Sequence, residues 1–296
     1  MEGVAPSAPR KMKDKPPYRA WVGVLFGLLL NGSAHFLSGA RAAGVKWFLS
    51  ILACSTLPLA FMAVPGTASY VAGVLLWFVG FVLWCVMLKQ SCRPVPRIRF
   101  LGWMSIICVS LCLAYGWECG VRALVQPFSL PTAAMSPTLL PGDYLLVEKV
   151  TFWFADPKRG DIVVFKTKGI EALPQNSSYL KRVVGLPGDL VRIDPPNLIV
   201  NGQIVSDPPI FRRIAAAAPP FAGFQLASGN VGRLGVLKQT NDELVLKQDE
   251  YFVLGDNTRN SFDSRYWGAV PRKNIIGRAT RIYWPFNRIG QSLGAE

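Results

Sequence analysis

The sequence predicts two unlike halves: an N-terminal α-helical transmembrane region, then a mostly-β soluble domain outside the cytoplasm. Three observations predict this. The 296 residues are 51% hydrophobic and only 17% charged, against about 25% charged in ordinary soluble domains. The first 125 residues hold 12 Lys/Arg but only three acidic residues, Glu2, Asp14 and Glu118. From Pro127 onward the apolar runs shorten and turn residues separate them, which is a strand pattern.

Residues 1–19 carry Pro6, Pro9, Pro16 and Pro17 among Arg10, Lys11, Lys13, Lys15 and Arg19. Such a segment is expected as a basic, disordered cytoplasmic tail. The membrane region spans 20–125, with helices at about 47–64, 69–88 and 101–117. The second, SYVAGVLLWFVGFVLWCVML, is uncharged and as a helix measures about 30 Å, one hydrocarbon thickness. A weaker segment at about 20–37 is interrupted by Asn31, Gly32, Ser33 and His35. It is expected to be re-entrant or interfacial, with His35 in a loop. Lys89, Arg93, Arg97 and Arg99 place the 89–99 loop inside, because positive charge stays cytoplasmic. The last helix then exits outward and leaves residues 126–296 extracytoplasmic, with the lipid bilayer as one partner.

In that second half YLLVEKV (144–150), DIVVFK (161–166), KRVVGL (181–186) and YFVLGD (251–256) read as strands. LVRIDPPNLIVNGQIV (190–205) contains an Asn201-Gly202 turn, a strong hairpin signal. No amphipathic helix stands out. Residues 207–245 read as a loose, variable insertion.

Several chemistries are excluded. All six cysteines lie in the first 125 residues, so the β domain has no disulfide or thiolate chemistry. His35 is the only histidine, which removes a Ser-His-Asp triad and a His-based metal site from that domain. No cofactor or metal is expected. Most of the net charge of +14, +9 of it, flanks apolar segments, and the basic residues form no stripe with interleaved aromatics, so no nucleic-acid partner is expected.

Three segments carry a resemblance. They are PFSLPTAAMSPTLLPGDYLLVEK (127–149), YLKRVVGLPGD (179–189) preceded by DPKRGDIVVFK (156–166), and GDNTRNSFDSRYWG (255–268). In this order and spacing they resemble the characteristic boxes of bacterial type I signal peptidases. The resemblance implies a multi-pass protein of the bacterial cytoplasmic membrane that removes signal peptides from secreted preproteins. It implies a Ser/Lys dyad, with Lys181 as general base and Ser261 orienting its amine. An exposed lysine, with a pKa of about 10.4, is a poor base at neutral pH, but Tyr179, Leu180, Val183 and Val184 supply the apolar burial that lowers it. Asp263 and Arg265 match a structural ion pair, and Asp256 and Asn257 the turn that opens the third box. By the same resemblance Phe128, Leu130, Met135, Leu139, Tyr179 and Leu180 line shallow pockets for small side chains. The extended substrate is expected to dock by strand addition, with Trp153 and Phe154 dipping into the bilayer interface.

One position departs from the pattern. The family has Pro-Ser-x-Ser-Met-x-Pro-Thr, with the nucleophile before the methionine. Here Pro131-Thr132-Ala133-Ala134-Met135-Ser136-Pro137-Thr138 puts a methyl group there. Thr132 keeps the oxyanion-hole hydroxyl, and the Ala134 N–H survives as the second donor. Ser136 and Thr132 each lie two residues away, roughly 6–7 Å along an extended segment, and about 1 Å of misplacement already costs heavily. The chain as written is therefore expected to be nearly inert. Two readings stay open: a signal peptidase, either an inactivated copy or one in which Ser136 or Thr132 substitutes as nucleophile, and a non-catalytic signal-peptide-binding protein.

Overall fold

The computed structural model describes residues 17–63, 67–97, 100–228, 235–291 and 293. The chain forms two compact units: a mainly helical one over Met1–Phe61 and Val71–Cys119, and a second over Met62–Tyr70 and Gly120–Glu296.

The helical unit contains α1 (Ala20–Leu29), α2 (Ser33–Leu37), α3 (Arg41–Ala63), α4 (Thr67–Gln90) and α5 (Phe100–Leu124). Two helices among the described residues are long and apolar enough to cross a membrane, over Val71–Gln90 and Leu101–Leu124. Their apolar side chains, among them Leu75, Trp77, Leu101 and Leu111, face outward rather than into the protein. Ser105 and Ser110 donate to the carbonyls of Leu101 and Ile106, one turn back, which keeps their hydroxyls satisfied along an apolar helix. The 47–64 segment falls within α3, but it is not among those two, and residues 64–66 lie outside the described residues. So does the basic tail up to residue 16. Gly32, at φ 81°, separates α1 from α2. Ten residues of α1 reach only about 15 Å. His35 is a correction: it is buried within α2, near Trp47, rather than in a loop. The Gly32 turn is followed directly by helix-compatible residues.

The second unit is built on strands β1 (Val125–Ser129), β2 (Tyr144–Glu148), β3 (Ile162–Lys166), β4 (Ser178–Gly185), β5 (Leu190–Asp194), β6 (Asn197–Val200), β7 (Gln203–Ile204), β8 (Glu243–Val245), β9 (Glu250–Leu254), β10 (Val270–Pro271) and β11 (Ile275–Trp284). Short helices α6 (Thr151–Phe154), α7 (Pro209–Ala215) and α8 (Ser264–Trp267) connect them. A seven-stranded sheet runs β1-β2-β11-β3-β4-β9-β10, and a four-stranded one β7-β6-β5-β8. Asn201 and Gly202 both have positive φ, 53° and 77°, the two-residue turn that Asn-Gly favours. β3 and β4 are buried on both faces, so their Val-rich runs read as continuous rather than alternating.

Two apolar clusters flank the large sheet. One gathers Leu130, Met135, Leu139, Leu145, Val164 and Leu180, and the other Phe165, Val183, Val253 and Val270. A third joins Val191, Ile193 and Leu198 to Ile210, Phe211, Ile214, Phe221, Phe224 and Leu237. The last six come from the stretch expected as a loose insertion. That expectation is corrected: the described part of 207–245 packs as core. Its Ile210-Phe211-x-x-Ile214 spacing puts three apolar side chains on one face of α7.

Candidate active site

β4 lies between β3 and β9, and Lys181 stands opposite Val163. A central strand leaves its lysine little access to water, and Lys181 is 4% exposed. Its neighbour Arg182 is equally buried but well paired. Nε and Nη2 donate to the two carboxylate oxygens of Asp256 at 2.7 Å each. Nη1 donates to the Gly160 carbonyl at 2.7 Å and Nη2 also to that of Leu293 at 2.9 Å. Thr138 donates its hydroxyl to Asp256 as well. Arg182, Asp256 and Thr138 therefore clamp the three sequence boxes together. Asp256 matters here as an ion-pair partner more than as a turn residue. An arginine directly after the lysine and an aspartate directly after Gly255 were the available signals.

Asn257 extends this clamp to the short turn Ala133–Met135. Its N–H donates to the Ala134 carbonyl and its Nδ2 to that of Ala133, both at 3.1 Å. β4 pairs with β9 through Arg182 and Leu254, and continuing that register sets Gly255 opposite Lys181. A Cβ at 255 would overlap both the Ser261 hydroxyl and the Ala134 carbonyl. Only glycine leaves room for both groups at that point of the strand.

Beneath lies the pair Asp263–Arg265, with Arg265 Nε and Nη2 donating to Asp263 at 2.7 and 2.9 Å. Both side chains are wholly buried. Asp263 also accepts from the Gly255 N–H at 3.1 Å, and Arg265 donates to the Ser261 carbonyl at 3.1 Å and the Gln225 carbonyl at 2.8 Å. This network fixes the 255–265 segment from below. Lys181 feels it too. Burial pushes its pKa down; Asp263 opposes, Arg265 adds to the lowering, and Asp256 opposes. The balance is downward, towards a neutral amine able to accept a proton.

Ser261 is buried, but its Oγ has no hydrogen-bond partner. The bond to the Lys181 amine expected of it is not made here; the hydroxyl lies close to Gly255. Ala134 is 8% exposed. Ser136 Oγ donates to the Leu139 carbonyl at 3.4 Å. Thr132 is exposed and extended, at φ −124° and ψ 155°. Of the expected pocket residues, Leu130, Met135, Leu139 and Leu180 share one cluster with Phe128 at its edge. Tyr179 does not join them. Adjacent strand residues face opposite ways, and its ring lies 6.2 Å from Phe165 in the other cluster. Among the described residues no three His, Cys, Asp or Glu side chains are grouped to hold a metal ion.

Comparisons with known proteins show the family. A family model described as signal peptidase, peptidase S26, matches residues 100–284. A probable signal peptidase I-2 of Synechocystis sp. is 38% identical over 204 residues, covering 68% of this chain and 80% of that protein. The signal peptidase I of Leptolyngbya laminosa is 38% identical over 178 residues, covering 58% and 75%. That of Pseudomonas aeruginosa is 32% identical over 212 residues, covering 56% and 71%. With a matching model over more than half its length and such relatives, this chain belongs to the signal peptidase family, peptidase S26.

Proposed function

We propose that this chain binds signal peptides of secreted preproteins in extended form, and that its cleavage step is blocked at residue 134 alone. The observation that carries this reading is the buried Lys181, its pKa lowered by burial, opposite Gly255, against which Ser261 and the Ala134 turn both pack. In the complete reaction a serine hydroxyl at 134 attacks the scissile carbonyl and passes its proton to the neutral Lys181 amine. The oxyanion is received by the residue-134 N–H and the Thr132 hydroxyl. The protonated amine then delivers that proton to the leaving amine, and water releases the acyl group by the reverse path. The Ala134 methyl can form no acyl-enzyme, while base, oxyanion donors and apolar groove remain.

The same reading places α4 and α5 across a bilayer, with the β domain on its outer side. The cationic 89–97 segment between them supports that orientation. So do the exposed Trp153 and Phe154 of α6, which suit a membrane interface.

The test is Ala134→Ser, assayed on a purified preprotein beside the chain as written. The serine version should cleave at least about 10³-fold faster, since losing a catalytic residue leaves only oxyanion-hole and binding contributions. Equal rates would assign the chemistry to another hydroxyl. Two silent proteins that both bind the signal peptide would make the chain a receptor rather than a peptidase lacking one atom.

A further inference from the structure

The apolar wall built by Leu130 and Leu180 does not end at Phe128. One face of the large sheet continues past it into a cavity of about 290 Å³, bordered by Gln126, Phe128, Lys149, Val164, Lys166 and Ser178. Strand register explains the continuity. Gln126 and Phe128 are alternate residues of β1, facing Val147 and Leu145 of β2. Lys166 and Val164 are alternate residues of β3, facing Ser178 and Leu180 of β4. The floor is apolar, with Val147 and Val164 both in the cluster that holds Met135. The rim is cationic.

Neither rim lysine is neutralised from within. Among the described residues neither Lys149 nor Lys166 has a carboxylate partner. Lys149 Nζ donates once, to the Arg122 carbonyl at 2.8 Å, leaving two N–H groups to point elsewhere. Burial holds its pKa below the ordinary lysine range, a cost that an arriving anion would remove. Lys166 is exposed and Ser178 half-buried beside it.

The substrate reading turns this into a position. Residues before the scissile bond must run from Ala134 along Leu130 and Phe128 towards Gln126. An extended peptide shows every second side chain to one face, roughly 6.5–7 Å apart. Small side chains at the first and third positions before the bond occupy the wall up to Phe128. The fifth then falls at the level of Gln126 and Ser178, in front of both amines. We propose that Lys149 and Lys166 form a subsite for an acidic side chain five residues before the cleavage point. It rests on the signal-peptide reading and adds a charge preference to it. The shared Phe128 favours a peptide over a lipid headgroup.

The full-length chain in uncharged detergent is its own trap, because it should bind without turning over. Fluorescent peptides ending in small-x-small, with Glu, Gln or Lys fifth from the end, would be titrated by anisotropy. Glu should bind about three- to tenfold tighter than Gln, with Lys weakest. The gap should close in about 0.5 M salt and vanish in the Lys149→Gln/Lys166→Gln double variant. Lys149→Glu/Lys166→Glu should invert it. Equal binding of Glu and Gln peptides, with bulky residues still rejected at the first and third positions, would overturn the subsite and leave the groove intact. Absence of all peptide binding, or indifference to those bulky residues, would overturn both. An unchanged Glu–Gln gap in the double variant, together with weaker binding to anionic vesicles, would overturn the subsite and assign the lysines to headgroups.

Discussion

The two parts of the site that meet at Gly255 are built very differently. On one side stand Lys181, Ser261 and the Asp263–Arg265 pair, each between 0% and 6% exposed, with Arg265 bonded to Asp263 and to the Ser261 carbonyl. On the other runs Pro131–Ser136, where Thr132 is exposed and two bonds from Asn257 hold the backbone in place. The base side is embedded in the folding core, so its erosion would threaten the fold. The nucleophile side is anchored by Met135 in the apolar cluster and by those two bonds from Asn257, and exchanging a hydroxyl for hydrogen at 134 leaves all of these contacts in place. Chemistry can thus be lost at 134 without structural penalty, whereas loss at 263 would take the domain with it.

The sharpest way to break this comparison is to remove the base after restoring the nucleophile. In the Ala134→Ser background, Lys181→Ala should lower cleavage by at least about 10³-fold, with the domain still folded by circular dichroism. A smaller loss would mean that the depressed lysine is a structural by-product. Next comes the foundation. Asp263→Ala strands the Arg265 charge in a dry interior, which costs about 3–5 kcal/mol. Denaturant melts should show most of the β domain's stability gone, whichever residue stands at 134. A loss under 1 kcal/mol would contradict the core role given to that side.

A smaller effect separates burial from function. The folded Lys181 has a lowered pKa, while the unfolded chain regains the ordinary value of about 10.4. Between the two values the unfolded state binds more protons, so stability rises with pH across that window, by at most about 1.4 kcal/mol per unit. Below the folded value the penalty is constant, and above the unfolded value it is absent. Lys181→Met should flatten this slope and raise stability at neutral pH. An unchanged slope in urea melts between pH 7 and 10 would show that another group titrates there.

Much of the base side was legible because its chemistry is local in sequence. Lysine among Tyr179, Leu180, Val183 and Val184 announces burial, and Asp263 and Arg265 are two residues apart. What escaped depends on distant partners. Arg182 meets Asp256 across 74 positions, and only the fold reveals that the pair links three segments. β11 was missed because Arg278, Thr280 and Arg281 break its apolar pattern, although Arg278 meets Glu148 and Asp161 once the strands assemble. The 207–245 stretch was misjudged from its Ala-Pro composition. Its aromatics are spread too widely to show a period, yet Phe211 and Phe224 meet at 6.1 Å.

The Asn257 side chain links the third sequence box to the turn that holds residue 134, and it carries the smallest expected change in stability. Asn257→Ala deletes the Nδ2 bond to the Ala133 carbonyl but keeps the backbone N–H bond to Ala134. A single neutral hydrogen bond contributes about 1 kcal/mol, so the melting midpoint should move only slightly. Its effect on turnover should be larger. With one tether gone the Ala133–Met135 turn can drift, and drift of about 1 Å at a reacting atom costs on the order of 10²-fold. In the Ala134→Ser background kcat should therefore fall about 10- to 100-fold while peptide affinity, set by the groove, stays within a few-fold. Asn257→Asp offers a carboxylate that cannot donate to a carbonyl, and it should behave like alanine. If kcat and stability fell in proportion, the Asn257 bond would act through folding and not through the position of residue 134.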